Sequence, residues 1–267
     1  MNKLLLGSFA IALTMGGSAA MAADMPLKAP PPPVLFSWTG CYVGIEGGGA
    51  WGRSQHRFPQ AAGPFVVGGP VFIGGVNATD TFNVSGGVAG VEYGCNQQFG
   101  SNWVFGLEGD WSWSSKRGTA NDILPAGNPL ITSETKERWV STSRMRIGWA
   151  WDRAWLYVTG GFAAARVDLN VDATAIGFGI LTDRKTVYGR TAGAGFEYAF
   201  LNNWSLKVEY LYMNFGENRY LTLPPAGFGQ RSFTLDDHIV RAGLNWRFTE
   251  CVFGSCPAPA PLPVYTK

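Results

Sequence analysis

Histidine is almost missing from this chain, with 2 in 267 residues. A serine or threonine nucleophile needs a positioned base, most often histidine, so hydrolase or acyltransferase chemistry has little to work with. Only His56, near Ser54, and His238, beside Asp236 and Asp237, offer such a base, and their neighbours are ordinary loop composition. Neither histidine stands near the 4 cysteines, which argues against a zinc-like ligand set. Charge is sparse too, at 15% with a net of +2, so no basic field for nucleic acid is present. After the first two dozen residues no run approaches the ~20 apolar residues of a membrane-spanning helix. The glycine patterns "GGVAG" and "GAGF" precede no helical pattern, so they read as strand glycines and not as phosphate loops. These absences leave neither a catalytic centre nor a cofactor to expect.

What is present begins with an export signal. "MNKLLLGSFAIALTMGGSAAMAA" carries Lys3, an apolar run from Leu4 to Met15, and an A-x-A site at Ala20-Met21-Ala22. The run is short and broken by Gly16, Gly17 and Ser18, which favours a cleaved leader over 1–22 against an uncleaved anchor. Residues 23–36 include "DMPLKAPPPPV", an extended polyproline-type spacer. Glycine (36) and tryptophan (11) are both high for a soluble domain. No further linker appears until a tail over 249–267, so 37–248 reads as one domain.

That domain alternates apolar and polar residues with period two. In "NWVFGLEGDWSWS" Trp103, Phe105, Leu107, Trp111 and Trp113 share one face; Val104, Gly106, Glu108, Asp110, Ser112 and Ser114 share the other. Met145, Ile147, Trp149 and Trp151 stand against Arg144 and Arg146; Leu206, Val208, Tyr210 and Tyr212 against Lys207 and Glu209; Val240, Ala242, Leu244, Trp246 and Phe248 against Arg241, Gly243, Asn245 and Arg247. About eight such strands can be placed. Their connections alternate between short (98–102, 151–154, 200–203) and long (about 53–80, 115–137, 170–185 and 216–235). Trp103, Trp139, Trp149, Trp151, Trp155, Trp204 and Trp246 fall at strand ends, where interfacial girdles belong. The pattern predicts an all-β fold: an eight-stranded antiparallel transmembrane β-barrel with short periplasmic turns and long extracellular loops. A soluble sandwich or lipocalin-like barrel would instead have to crowd these rings into one small interior.

Such a barrel turns its charges inward. Pairing Trp103 with Trp151 across the short turns places Glu108 level with Arg146 and Asp110 level with Arg144. Glu46, Glu92, Glu197, Lys207, Glu209, Arg241 and Arg247 add inward charge of both signs. Eight strands enclose a space that side chains fill, so this network reads as a plug, with a selectivity filter as the alternative. Cys41 and Cys95 fall near the periplasmic rim of one hairpin and are candidates for a disulfide, as are Cys251 and Cys256 in the tail; reduced thiols are the other reading, and spacing alone does not choose. Haem capture by His56 is a weaker possibility than a solvated loop histidine.

The stretches "FSWTGCYVGIEGGGAWG", "FGLEGDWS", "YVTGG", "GAGFEYAFLNNWSLKVEYLYMNFG" and "IVRAGLNWRF" resemble, in order, the alphaproteobacterial outer-membrane β-barrel proteins, labelled porin-family or surface-antigen proteins. The resemblance covers nearly the whole chain after the leader. It implies an eight-stranded barrel in the outer membrane of a Gram-negative bacterium, with surface loops; some relatives are reported to bind haem or act as antigens. It also implies that the last strand, through Val240, Leu244, Trp246 and Phe248, is the signal read by the barrel-assembly machinery. The sequence departs from the family by continuing past Phe248 into a "PAPAPLPV" tail, which either reaches toward the cell wall or is inert. The expected function is structural, with outer-membrane lipid as the surrounding partner and loops displayed outside; a small-solute porin or a ligand receptor is the alternative.

Overall fold

A computed structural model of the chain describes residues 36–59, 76–100, 102–123, 128–221 and 230–248. The leader, most of the spacer, and the tail with Cys251 and Cys256 lie outside the described residues. Ten strands form one antiparallel sheet: β1 (Gly40–Phe58), β2 (Val76–Asn77), β3 (Phe82–Phe99), β4 (Trp103–Ser114), β5 (Arg117–Asn121), β6 (Thr132–Trp151), β7 (Ala154–Ala173), β8 (Gly179–Ala199), β9 (Trp204–Tyr220) and β10 (Arg231–Phe248). Eight are long. β5 continues the line of β4 along β6, and β2 is a two-residue clip on β1. β1 pairs with both β3 and β10, which closes the sheet. An eight-stranded barrel follows.

Following the register around the ring from Tyr42 leads through Gly94, Glu108, Arg144, Gly161, Thr191, Met213 and Asp237 to Gly52, ten residues further along β1. That stagger tilts the strands and sets the bore at a width that side chains can bridge.

Residues that a soluble protein would bury face outward: Ile45 is 63% exposed, Val158 59% and Phe162 73%. Their neighbours in sequence, such as Glu46 and Tyr157, are buried. An apolar exterior around a polar interior is the membrane arrangement. Toward the long-loop end the sense reverses. On β7 the outward positions change from Leu156, Val158 and Phe162 to Arg166, Asn170 and Asp172, while the inward ones become Ala163, Ala165, Val167, Leu169 and Val171. There the barrel holds an apolar core completed by Leu211, Met213, Phe233 and Ile239. The wall therefore continues beyond the apolar belt as a water-facing barrel with a conventional inside.

This reversal corrects the expected loops. The β7–β8 connection is Thr174–Phe178, and not 170–185, because both strands run on past the belt. His56 is in β1, buried, and not in a loop. Trp155 is also corrected: it is fully buried inside, where the Arg146 guanidinium stacks 4.6 Å from its ring, so it takes no part in the girdle. Trp103, Trp149, Trp151, Trp204 and Trp246 do face out at the short-turn end.

Candidate functional site: the charge layer inside the barrel

Inward glycines make room for the layer. A Cβ on Gly94 would lie 2.4 Å from the Tyr42 hydroxyl, and one on Gly195 2.4 Å from that of Tyr157. Without those side chains both phenols lean into the bore. Tyr42 donates a short hydrogen bond to Glu108, and Tyr157 donates to Glu209 at 3.1 Å.

Around them the structure brings together Glu46, Glu92, Glu108, Asp110, Arg144, Arg146, Glu197, Lys207, Glu209 and Arg241, ten of the eleven inward charges read from the sequence, all buried; the eleventh, Arg247, lies apart at the short-turn end against Trp38. Arg144 reaches Glu209 at 2.8 Å and Asp110 at 3.1 Å, contacts Glu108 more closely, and donates from Nε to Thr142 at 2.8 Å. Arg241 binds Asp110 at 2.9 Å and Glu209 at 2.8 Å, and pairs closely with Glu46. Arg146 bridges Glu108 (2.9 Å) and Glu197 (3.4 Å). Lys207 contacts Glu92 and lies 3.2 Å from Glu108. Several of these bonds cross the bore, since β9 meets β3, β6 meets β9 and β10 meets β4 without being neighbours in the sheet. The layer holds six carboxyls and four cations.

The expected register is off by two residues. Trp103 pairs with Trp149, not Trp151, which sets Glu108 opposite Arg144 and Asp110 opposite Thr142. Asn102 is the cause: its carbonyl accepts from the Ala150 amide (2.7 Å) and its side chain donates to the Ala150 carbonyl (2.8 Å), so the strands meet at Ala150. Arg is long enough for the expected pairs to form diagonally all the same, as Arg146–Glu108 and Arg144–Asp110.

Two flanking features escaped the sequence reading. At the short-turn end Trp38 is buried against Trp155 (centroids 5.5 Å apart), donates from Nε1 to the Asp152 carbonyl (3.0 Å) and lies under Arg247 (5.2 Å). Its position just outside the first strand gave no periodic signal. Toward the long loops Lys116 binds Glu137 at 2.9 Å and contacts Asp237, and Arg231 donates to Asp122 at 3.0 Å. Lys116, Glu137, Asp122 and Arg231 all fell in stretches taken for loops. His56 bonds to the Tyr220 hydroxyl (2.6 Å) and to Thr135 (2.9 Å), and burial, helped by the Arg231 charge, pushes its imidazole down to about 3. Sealed in this way it has no open face for a haem iron, which corrects that alternative. His238 faces outward, stacked on Trp51 with ring centroids 5.9 Å apart.

Cys41 and Cys95 are paired across β1 and β3 and joined by a disulfide, with Cα atoms 3.9 Å apart. Among the described residues no set of three or more histidine, cysteine or carboxylate groups is arranged to hold a metal ion.

A closed antiparallel barrel, apolar outside and ion-paired inside, defines an outer-membrane β-barrel protein. The chain belongs to the outer membrane protein beta-barrel domain family, whose model matches residues 9–248. It is 34% identical over 268 residues to the 31 kDa outer-membrane immunogenic protein of Brucella melitensis, covering 93% of this chain and all of that one. It is 28% identical to a 22 kDa outer membrane protein of Rhizobium leguminosarum, covering 79% of each. The crystal structure of OprG from Pseudomonas aeruginosa shares the fold at a TM-score of 0.51 and 12% identity, over 80% of this chain and 98% of that one. The protein is thus an outer-membrane protein of a Gram-negative bacterium.

Proposed function

We propose that the protein is a non-conducting scaffold of the outer membrane that displays its long loops at the cell surface. The observation that supports this reading is the set of ion pairs across the bore, Lys207–Glu92, Arg144–Glu209 and Arg241–Asp110; in this reading they close an eight-stranded bore to a continuous water path. The Trp38 and Arg247 cap supports it from the short-turn end. In this reading the short turns face the periplasm, the leader is removed on export, and the assembly machinery reads the strand ending at Phe248. In this reading the protein carries out no reaction.

Display is tested by inserting an epitope between Pro224 and Pro225 and labelling intact cells with antibody. Labelling equal to that of permeabilised cells is expected. Labelling only after permeabilisation would reverse the orientation.

A further inference from the structure

The outer wall is not uniformly bulky. On β4, β6 and β7 the outward residues run in rows: Trp113, Trp139, Arg166; then Trp111, Ser141, Ala164; then Gly109, Ser143, Phe162; then Leu107, Met145, Gly160. Where the middle rows fall to small residues the wall sinks into an apolar groove of about 670 Å³, edged by Tyr93, Leu107, Met145 and Phe162. The groove opens on the lipid-facing side.

Two rows above its rim at Gly109, Ser143 and Phe162, across Trp111, Ser141 and Ala164, the girdle row meets a group of cations. A bulge in β6 between Glu137 and Trp139 adds Arg138, which points out beside Trp139 instead of alternating inward. Arg138 reaches Asp168 at 2.7 Å, and Arg184 lies 3.8 Å from the same carboxylate. Arg166, two residues before Asp168 on that face, contacts Thr186 at 3.3 Å, and Lys136 pairs across from Asp168. Arg138 and Arg184 thus share the Asp168 carboxylate, with Arg166 and Lys136 beside it on the same face, at the height where the apolar belt gives way to water. From Arg166 to the groove floor at Gly160 is six residues of β7, roughly 20 Å at ~3.3 Å per residue, about the length of an extended acyl chain.

We infer that this face holds one phosphorylated, multiply acylated glycolipid of the outer leaflet, with a phosphate between Arg138, Arg166 and Arg184 and an acyl chain in the groove below. Planar guanidinium groups suit phosphate oxygens, and the aromatic edges suit the chain. The inference rests on the orientation given under Proposed function; the epitope experiment tests that separately.

The test uses the full chain isolated from outer membranes in mild detergent and titrated, by native mass spectrometry, with a bisphosphorylated hexaacyl glucosamine disaccharide. Comparison ligands are its dephosphorylated form, phosphatidylglycerol and inorganic phosphate. Arg138→Gln/Arg166→Gln removes the headgroup contacts. Gly160→Val fills the groove without strain, because a Cβ there meets only the Thr191 carbonyl, at 3.7 Å. Arg53→Gln, on the opposite side of the ring, is the control. One bound lipid is expected, with at least tenfold weaker binding for the double variant, for Gly160→Val and for the dephosphorylated ligand, and no change for Arg53→Gln. Heat-modifiable gel mobility verifies folding, and Ser143→Val replaces Gly160→Val if that variant does not fold. Equal binding by all variants would overturn the inference, as would phosphatidylglycerol binding equally well. Displacement by inorganic phosphate with the groove variants unaffected would also overturn it, since that describes a phosphate site without a lipid.

Discussion

Replacing Arg144 with methionine removes the cation that contacts three carboxylates of the central layer. Those charge-assisted bonds and the one to Thr142 contribute about 1.5–3 kcal/mol each in gross terms. The guanidinium desolvation they offset is itself several kcal/mol, so the pairs as a set add little net stability. Breaking the set is different. With Arg144 gone, Glu108, Asp110 and Glu209 keep Arg146, Lys207 and Arg241, and the layer's six carboxyls face three cations instead of four. An uncompensated buried charge of this kind costs about 3–5 kcal/mol. In urea titrations of the refolded protein in lipid vesicles, followed by tryptophan fluorescence, the midpoint should fall by roughly 1–2 M at an m-value near the upper end of ~1–3 kcal/mol/M. Adding Asp110→Asn to Arg144→Met restores the charge balance and should recover about 1 kcal/mol or more, as coupled neighbours do. An unfolding free energy for Arg144→Met within about 0.5 kcal/mol of wild type would refute the reasoning.

Reducing the Cys41–Cys95 bond, or replacing both residues with alanine, should lower stability by up to about 4 kcal/mol, the chain-entropy value for a loop spanning 54 residues; equal unfolding midpoints with and without reductant would contradict this. His56 should make the long-loop end acid-labile. Its folded value of about 3 lies below the unfolded 6.5, so the unfolded chain binds the extra proton, and stability falls as pH drops from about 6.5 toward 3, by up to roughly 1.4 kcal/mol per pH unit. His56→Gln should flatten that slope in unfolding experiments between pH 7 and 4, and an unchanged slope would rule out this histidine as its source. Gly94→Val should displace the Tyr42 hydroxyl from Glu108 and destabilise by about 1–3 kcal/mol, read in the same urea assay.

The strands of the belt were legible because two requirements coincide there: lipid demands apolar residues on one side and the bore demands polar ones on the other. Trp103 to Trp113 and Val240 to Phe248 state that alternation directly, and the inward charges followed from it. Above the belt the alternation persists with its sense reversed, as in Ala163 to Val171 facing in beside Arg166 and Asp172 facing out. A reading keyed to one sense of the pattern takes such segments for loops, so the Lys116–Glu137–Asp237 cluster and buried His56 were missed. The exact register depended on Asn102, a turn residue whose paired bonds to Ala150 leave no trace in periodicity. Trp38 contacts groups far away in the chain, Asp152 and Arg247, and lies outside any repeat.

Closure of the bore by the crossed ion pairs, as we propose it, has a direct electrical consequence. Single-channel recording of the folded protein in planar bilayers tests it most directly, with folding verified by heat-modifiable mobility. No steady conductance is expected for the wild type, and channel events should appear when Trp38→Ala and Arg144→Met are combined. A steady, ion-selective conductance of the unmodified protein would contradict it.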